Sequence, residues 1–144
     1  MPDETEYMNA FDRYLKSEEI VKEMNEQLPL EVKHAEEMLE WMAQTRKTGA
    51  ELIEARASYM LLGALAKGMT DRFEAAEAAM KQATSGAATL MLYTTITADE
   101  EDREKHEALL DEGIQYTNIA AEEILALNAL FKKERARLES LLIL

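Results

Sequence analysis

The most apolar stretch of the chain is a run within residues 51–69, in which apolar side chains recur at helical spacing. Residues three or four positions apart share one face of a helix, so these side chains form two neighbouring stripes. The run is about half as long as a membrane span, so we expect other parts of the protein to cover it on nearly all sides. The first stripe is Leu52, Ala55, Tyr59, Leu62, Ala66 and Met69, and the second stripe is Ile53, Ala57, Met60 and Ala64.

The rest of the chain also has helical periodicity, without the alternating pattern of β-strands. The sequence therefore predicts an all-α fold. We expect a single domain over residues 1–144, built as an elongated antiparallel four-helix bundle with a long central helix and a long C-terminal helix. The predicted helices cover about residues 4–27, 29–67, 71–96 and 98–141.

Local residues suggest where these helices begin and end. Pro29 is best tolerated in the first turn of a helix and disfavours helical geometry at the residue before it, which predicts a boundary there. Gly68 is typical of a left-handed cap at a helix end. Thr97 and Glu100 have the spacing of a capping box, which predicts the start of the last helix. In the third predicted helix, small residues such as Ala76, Ala79 and Gly86 predict close packing against the central helix.

The predicted helices differ in length, which leaves an apolar end without cover. At 1.5 Å per residue the fourth helix is about 66 Å long, and it would extend about 27 Å further than the third helix. An apolar projection of this size calls for a protein partner, either another copy of the chain or a different protein. In the alternative, the helix breaks near Gly113 or Asn118 and folds back onto the bundle. The predicted contact residues are Leu125, Leu127, Leu130, Phe131, Leu138, Leu141 and Leu142.

Charge and composition restrict the possible partners. The chain has 29 acidic and 16 basic residues, which give a formal net charge of -13. Nucleic-acid backbones and anionic membranes repel such a surface, so we expect direct binding to neither. The chain has no cysteine, and its N-terminal residues lack the pattern of a signal peptide, so we expect a cytoplasmic protein.

Candidate chemistry is sparse. Glu31 and His34 have the Glu-x-x-His spacing that di-iron bundles use, because these positions project toward one metal ion. Such a site needs a second motif, and Arg103 stands three residues before the only other histidine, His106. The serines lie in no nucleophile elbow, and there is no glycine-rich phosphate loop. We therefore expect no enzyme activity, no cofactor and no metal ion.

These observations favour a non-enzymatic protein that acts through protein–protein contacts. We expect a homo-oligomer, or a scaffold, that assembles through its C-terminal helix. One alternative is an acidic inhibitor that imitates nucleic acid and blocks the basic channel of a DNA- or RNA-binding protein. A second alternative is a metal-binding helical bundle. The acidic surface of the first alternative comprises Asp99, Glu100, Glu101, Asp102, Glu104, Glu107, Asp111 and Glu112.

Overall fold

A computed structural model describes residues 4–45, 49–94, 96 and 99–143, and this part of the chain contains three helices and no strand. Helix α1 spans Glu4–Thr45, α2 spans Gly49–Leu92 and α3 spans Glu100–Ile143. The all-α prediction is confirmed. The prediction of four helices is not, because the first two predicted boundaries fall inside α1 and α2.

Residue 29 does not end the first helix, since α1 includes Pro29 in its interior. An interior proline costs about 3 kcal/mol. Met24 and Ala35 are buried on either side of it, and their burial favours a continuous helix over a chain reversal. Pro29 itself is exposed, so its ring displaces no core side chain.

Residue 68 does not end a helix either. Gly68 lies within α2, and no described glycine has a positive φ, so it does not act as a left-handed cap. A Cβ atom built on Gly68 would lie 3.5 Å from Cδ1 of Leu127, which is ordinary packing distance. Gly68 is therefore a packed position in the middle of a helix.

The start of the last helix is close to the predicted one, although the predicted cap Thr97 lies outside the described residues. Helix α3 begins at Glu100, and the Asp99 carboxylate accepts a hydrogen bond from the backbone N–H of Glu101 at 3.4 Å. A carboxylate in this position satisfies a free N–H of the first turn, so Asp99 caps the helix. The helix then continues through Gly113 and Asn118, and the alternative with a break there is wrong.

The chain divides into two compact units, and each contains a part of all three helices. Unit 1 comprises Met1–Glu19 and Asp71–Ile124, and unit 2 comprises Ile20–Thr70 and Leu125–Leu144. The single domain that the sequence predicts stays a prediction.

In unit 1, α1 and α3 both run antiparallel to α2. Tyr7 hydrogen-bonds Thr84 at 3.0 Å, and Tyr14 stacks on Phe73, so later residues of α1 meet earlier residues of α2. The core combines three aromatic side chains of α1 with apolar residues of α2 and α3. Its members are Ala10, Met80, Ala83, Leu110 and Ile114, with Tyr7, Phe11, Tyr14, Ala87 and Leu90 packed against them.

Small residues bring α2 and α3 very close together in unit 1. A Cβ atom built on Gly113 would lie 2.7 Å from both Cβ and N of Ala83, and one built on Gly86 would lie 3.1 Å from N of Leu110. The sequence predicted this close approach from the small residues. The predicted partner, the central helix, is wrong, because residues 71–92 belong to the same helix as residues 49–67. The close approach is between α2 and α3.

In unit 2, α2 and α3 are again antiparallel. Gly68 faces Leu127, and Glu54, much earlier on α2, pairs with Arg137 at 2.8 Å. Buried apolar side chains from all three helices form the core of this unit. They are Val21, Met24, Ala35, Leu39 and Met42 of α1, Ala55, Leu62, Ala66 and Met69 of α2, and Phe131, Leu138 and Leu142 of α3.

Candidate interaction surfaces

Unit 2 covers only one of the two apolar stripes of α2. In the first stripe Ala55, Leu62, Ala66 and Met69 are buried, and the remaining two residues are half-buried. All four residues of the second stripe are exposed, and we call Ile53, Ala57, Met60 and Ala64 the open stripe. The expectation that α2 is covered on nearly all sides is therefore wrong. A helix with two neighbours buries the face between them, and its outer side stays in solvent.

The open stripe has the spacing of a helix-pairing surface. Its residues are separated by four, three and four positions, which is the apolar repeat of a coiled-coil seam. Ile53 is 70% exposed and Met60 is 72% exposed, so both large side chains present most of their surface to water. Leu61, next to the stripe, is 44% exposed. None of the four residues of the stripe is charged, and exposed apolar side chains at such spacing are a recognised sign of a binding site.

Polar contacts on the opposite side of α2 fix the rotation of the helix about its axis. The hydroxyl of Tyr59 donates a hydrogen bond to Oε1 of Glu36 at 3.0 Å, and the buried hydroxyl of Ser58 donates to the backbone oxygen of Glu134 at 3.5 Å. Burial, followed by this hydrogen bond and the charge of Glu36, raises the pKa of Tyr59 above its usual value. These contacts keep the open stripe directed outward.

An apolar pocket of about 190 Å³ lies between the three helices of unit 2. Gly63 is part of the pocket lining, and a Cβ atom built there would meet nothing within 4 Å. The ion pair between Glu31 and Arg135, with atoms 3.1 Å apart, is part of the pocket wall, and Met60 of the open stripe is another part. The apolar residues that line the pocket include Leu28, Val32, Ala35, Leu62, Leu138 and Leu142.

The predicted C-terminal contact surface is mostly part of the core of unit 2. Phe131, Leu138 and Leu142 are buried, and Leu127 and Leu141 are half-buried. The predicted helix lengths left these side chains without cover. In the structure they are not left uncovered, because the segments of α1 and α2 in unit 2 pack beside them. Of the seven predicted residues, only two are exposed, and their contact with a partner stays a prediction. They are Leu125 and Leu130.

The predicted acidic surface lies on the first turns of α3, in unit 1. All of its eight residues are exposed except Glu107, which is half-buried. None of the eight has an ion pair with another described residue. Their charges are therefore open to solvent or to a partner.

One of the two residues of the candidate metal motif is already paired. Glu31 is paired with Arg135, and His34 is exposed. Nδ1 of His106 lies 2.7 Å from the backbone oxygen of Asp102. In the described ranges, no group of three or more metal-binding side chains is arranged around a common point. Nothing in this part of the chain supports the metal-binding alternative.

The basic segment near the end of α3 links the helices of unit 2. Arg135 pairs with Glu31 of α1, and Arg137 pairs with both Glu54 of α2 and Glu134. None of these basic residues lies in the last turn of α3. Over the described residues, no helix is apolar enough along a sufficient length to cross a bilayer.

Sequence reasoning identified the open stripe as a pattern but assigned it to the interior. The feature that marks it as a surface is the opposite side of α2, where most of the first stripe is buried and Ser58 and Tyr59 make polar contacts. Comparison with known proteins gave no match: no family model fits the chain, and no curated protein or solved structure is significantly similar to it.

Proposed function

We propose that this chain is a non-enzymatic interaction protein that associates with itself, and that the open stripe of α2 is its contact surface. The observation that carries the proposal is the exposure of four apolar residues at coiled-coil spacing on a chain with a net charge of -13. A highly charged surface keeps proteins apart, so an uncharged line on it is where two copies can approach most closely.

The expected strength of this association follows from the exposed side chains. Burying a whole Ile or Met side chain contributes about 1.5–3 kcal/mol, so the exposed parts of Ile53 and Met60 contribute about 1–2 kcal/mol each. Two copies then gain about 4–8 kcal/mol, before the cost of lost translational and rotational freedom. We therefore expect a weak, concentration-dependent dimer.

The C-terminal helix retains a smaller part in this proposal. Leu125 and Leu130 are exposed on α3 in unit 2 and are available as separate apolar contacts for a partner. Deleting the C-terminal residues would not test their role, because the deletion also removes buried Phe131, Leu138 and Leu142. Substitution of the two exposed leucines by serine tests it without disturbing the core.

Analytical ultracentrifugation over a range of concentrations tests the proposal. Met60→Glu places a charge in the open stripe, and Met91→Glu is its matched control, because both methionines are 72% exposed on α2. We expect the mass of the wild type and of Met91→Glu to rise with concentration, whereas Met60→Glu stays monomeric. A wild type that is monomeric throughout, or a Met60→Glu variant that associates normally, would refute the proposal.

A second candidate function is inhibition of a nucleic-acid-binding protein, favoured by the predicted acidic surface, whose eight residues have no ion pair with another described residue. Carboxylates on a rigid helix can occupy a basic channel in place of phosphates. Such binding weakens steeply as salt rises, whereas apolar self-association of an acidic protein strengthens because salt screens the repulsion between copies. Inhibition assays on a panel of nucleases, each at low and high salt, distinguish the two functions.

A further inference from the structure

We infer that two copies of the chain pair through their open stripes in antiparallel orientation, with Ile53 of each copy opposite Ala64 of the other and Ala57 opposite Met60. This inference rests on the proposed self-association and adds the orientation and register of the contact. It follows from the order of large and small residues along α2, together with their exposure.

The open stripe alternates in size, from large Ile53 to small Ala57, large Met60 and small Ala64. Ile53 and Ala64 are equally distant from the point between residues 58 and 59, and the same is true of Ala57 and Met60. An antiparallel pair centred on that point therefore places a large side chain opposite a small one at each level. Facing helices pack at even spacing when large and small residues alternate across the contact.

A parallel pair in register would be packed unevenly. Each residue would face its own copy, so Ile53 would meet Ile53 and Met60 would meet Met60, while Ala57 and Ala64 would face alanine. The large pairs would hold the helices apart, and gaps would remain at the alanine levels. The antiparallel arrangement avoids both problems.

The residues beside the open stripe are compatible with the antiparallel pair. Arg56 and Gly63 lie on one flank of the open stripe, and in an antiparallel pair each flank faces the same flank of the other copy, so each arginine is next to a glycine. Glu54 and Leu61 lie on the other flank, so the carboxylate is next to a leucine that is 44% exposed in the single chain. No like charges are placed opposite each other, although the chain as a whole is strongly acidic.

The area of this contact agrees with a weak dimer. Covering the exposed parts of Ile53, Met60 and Leu61 and of the two alanines removes on the order of 400 Å² per copy, or about 800 Å² in the pair. Stable specific complexes bury about 1,200–2,000 Å². A covalent trap is therefore the appropriate test of the register.

The chain contains no cysteine, so introduced cysteines are the only thiols. We propose an equimolar mixture of Ile53→Cys and affinity-tagged Ala64→Cys chains, with oxidised glutathione as the oxidant and disulfide-linked products identified by mass spectrometry. Both sites are exposed, so neither substitution opens a cavity in the core. The matched control replaces Ala64→Cys by tagged Met91→Cys, which is exposed but lies outside the open stripe.

We expect the mixed 53–64 disulfide to form at least tenfold faster than the control disulfide. Ile53→Cys alone should form few dimers, because two copies of residue 53 would lie about 16 Å apart along the antiparallel pair, and a disulfide needs Cα atoms within about 7 Å. A dominant 53–53 product would overturn the inference in favour of a parallel pair. A wild type that forms dimers in ultracentrifugation, with no preference for the 53–64 product, would also overturn it.

The proposed function fails in a different way. If the wild-type chain is monomeric at every concentration, self-association itself is refuted, and the register is refuted with it. If the chain associates but gives the wrong disulfide, only the orientation and register are wrong.

Discussion

One chemical change, glycine to alanine, should have opposite effects on stability at two interior helix positions. Alanine is about 1 kcal/mol more favourable than glycine in a helix. At Gly63 the added Cβ atom meets nothing within 4 Å, so this gain should be realised in full. We expect Gly63→Ala to raise the free energy of unfolding by about 1 kcal/mol and Tm by about 3 °C.

At Gly113 the same atom would meet α2. It would lie 2.7 Å from Cβ and N of Ala83 and 2.8 Å from the backbone oxygen of Ala79, whereas carbon atoms in favourable contact are about 3.5–4.0 Å apart. None of these three atoms is at the end of a flexible side chain, so α2 and α3 must separate. Overpacking of this kind typically costs about 1–3 kcal/mol, and backbone contacts place this site at the upper end. After the helix gain is subtracted, we expect Gly113→Ala to lower the free energy of unfolding by about 2 kcal/mol.

Urea denaturation followed by far-ultraviolet circular dichroism, together with thermal melts, measures both variants against the wild type. Gly86→Ala is a third member of the series, with its closest contact at 3.1 Å, and should fall between the other two. A Gly113→Ala variant as stable as Gly63→Ala would refute the close approach of α2 and α3 in unit 1. A destabilised Gly63→Ala variant would contradict the open space that the structure shows around residue 63.

Two further predictions concern unit 2. Leu138→Ala should lower the free energy of unfolding by about 2–5 kcal/mol, because Leu138 is buried. Leu130→Ala, at an exposed position, should change it by less than about 0.5 kcal/mol. Equal effects of the two substitutions in urea denaturation would contradict the assigned burial. The difference between the alkaline absorbance titrations of the wild type and of Tyr59→Phe isolates Tyr59 from the other four tyrosines, and its midpoint should lie above 10.0, since burial and Glu36 raise the pKa of Tyr59. The unfolded chain then loses this proton first, so stability should fall as the pH rises above 10, and Tyr59→Phe should reduce that fall; a midpoint at or below 10 would contradict the contact with Glu36.

The limits of sequence-based prediction are clearest at Pro29 and Gly68. Both residues have strong local preferences against the helix interior, worth about 1–3 kcal/mol. In the folded chain, burial of Met24 and Ala35 near Pro29, and the contact of Gly68 with Leu127, favour continuous helices. Local preference was therefore a poor guide to the boundaries, because the contacts that oppose it come from residues distant in sequence.

The C-terminal contact surface was predicted only in part, and the reason is related. Periodicity shows that Leu130 and Leu138 are apolar residues of a helix, but it does not show which of them faces α1 and α2. In the structure Leu138 is buried and Leu130 is exposed. The difference depends on where the neighbouring helices lie, and the spacing of residues within one helix does not show this.

The sequence by itself determined that the chain is helical and that α2 carries two apolar stripes, because both follow from the spacing of side chains along one helix. Only the tertiary structure decided that the stripe with Leu62 is covered and the stripe with Met60 is open. The two stripes are similarly apolar, so composition does not distinguish them. In unit 2 the covered stripe packs against α1 and α3, whereas the open stripe is exposed and only Met60 lies at the edge of the pocket between the helices.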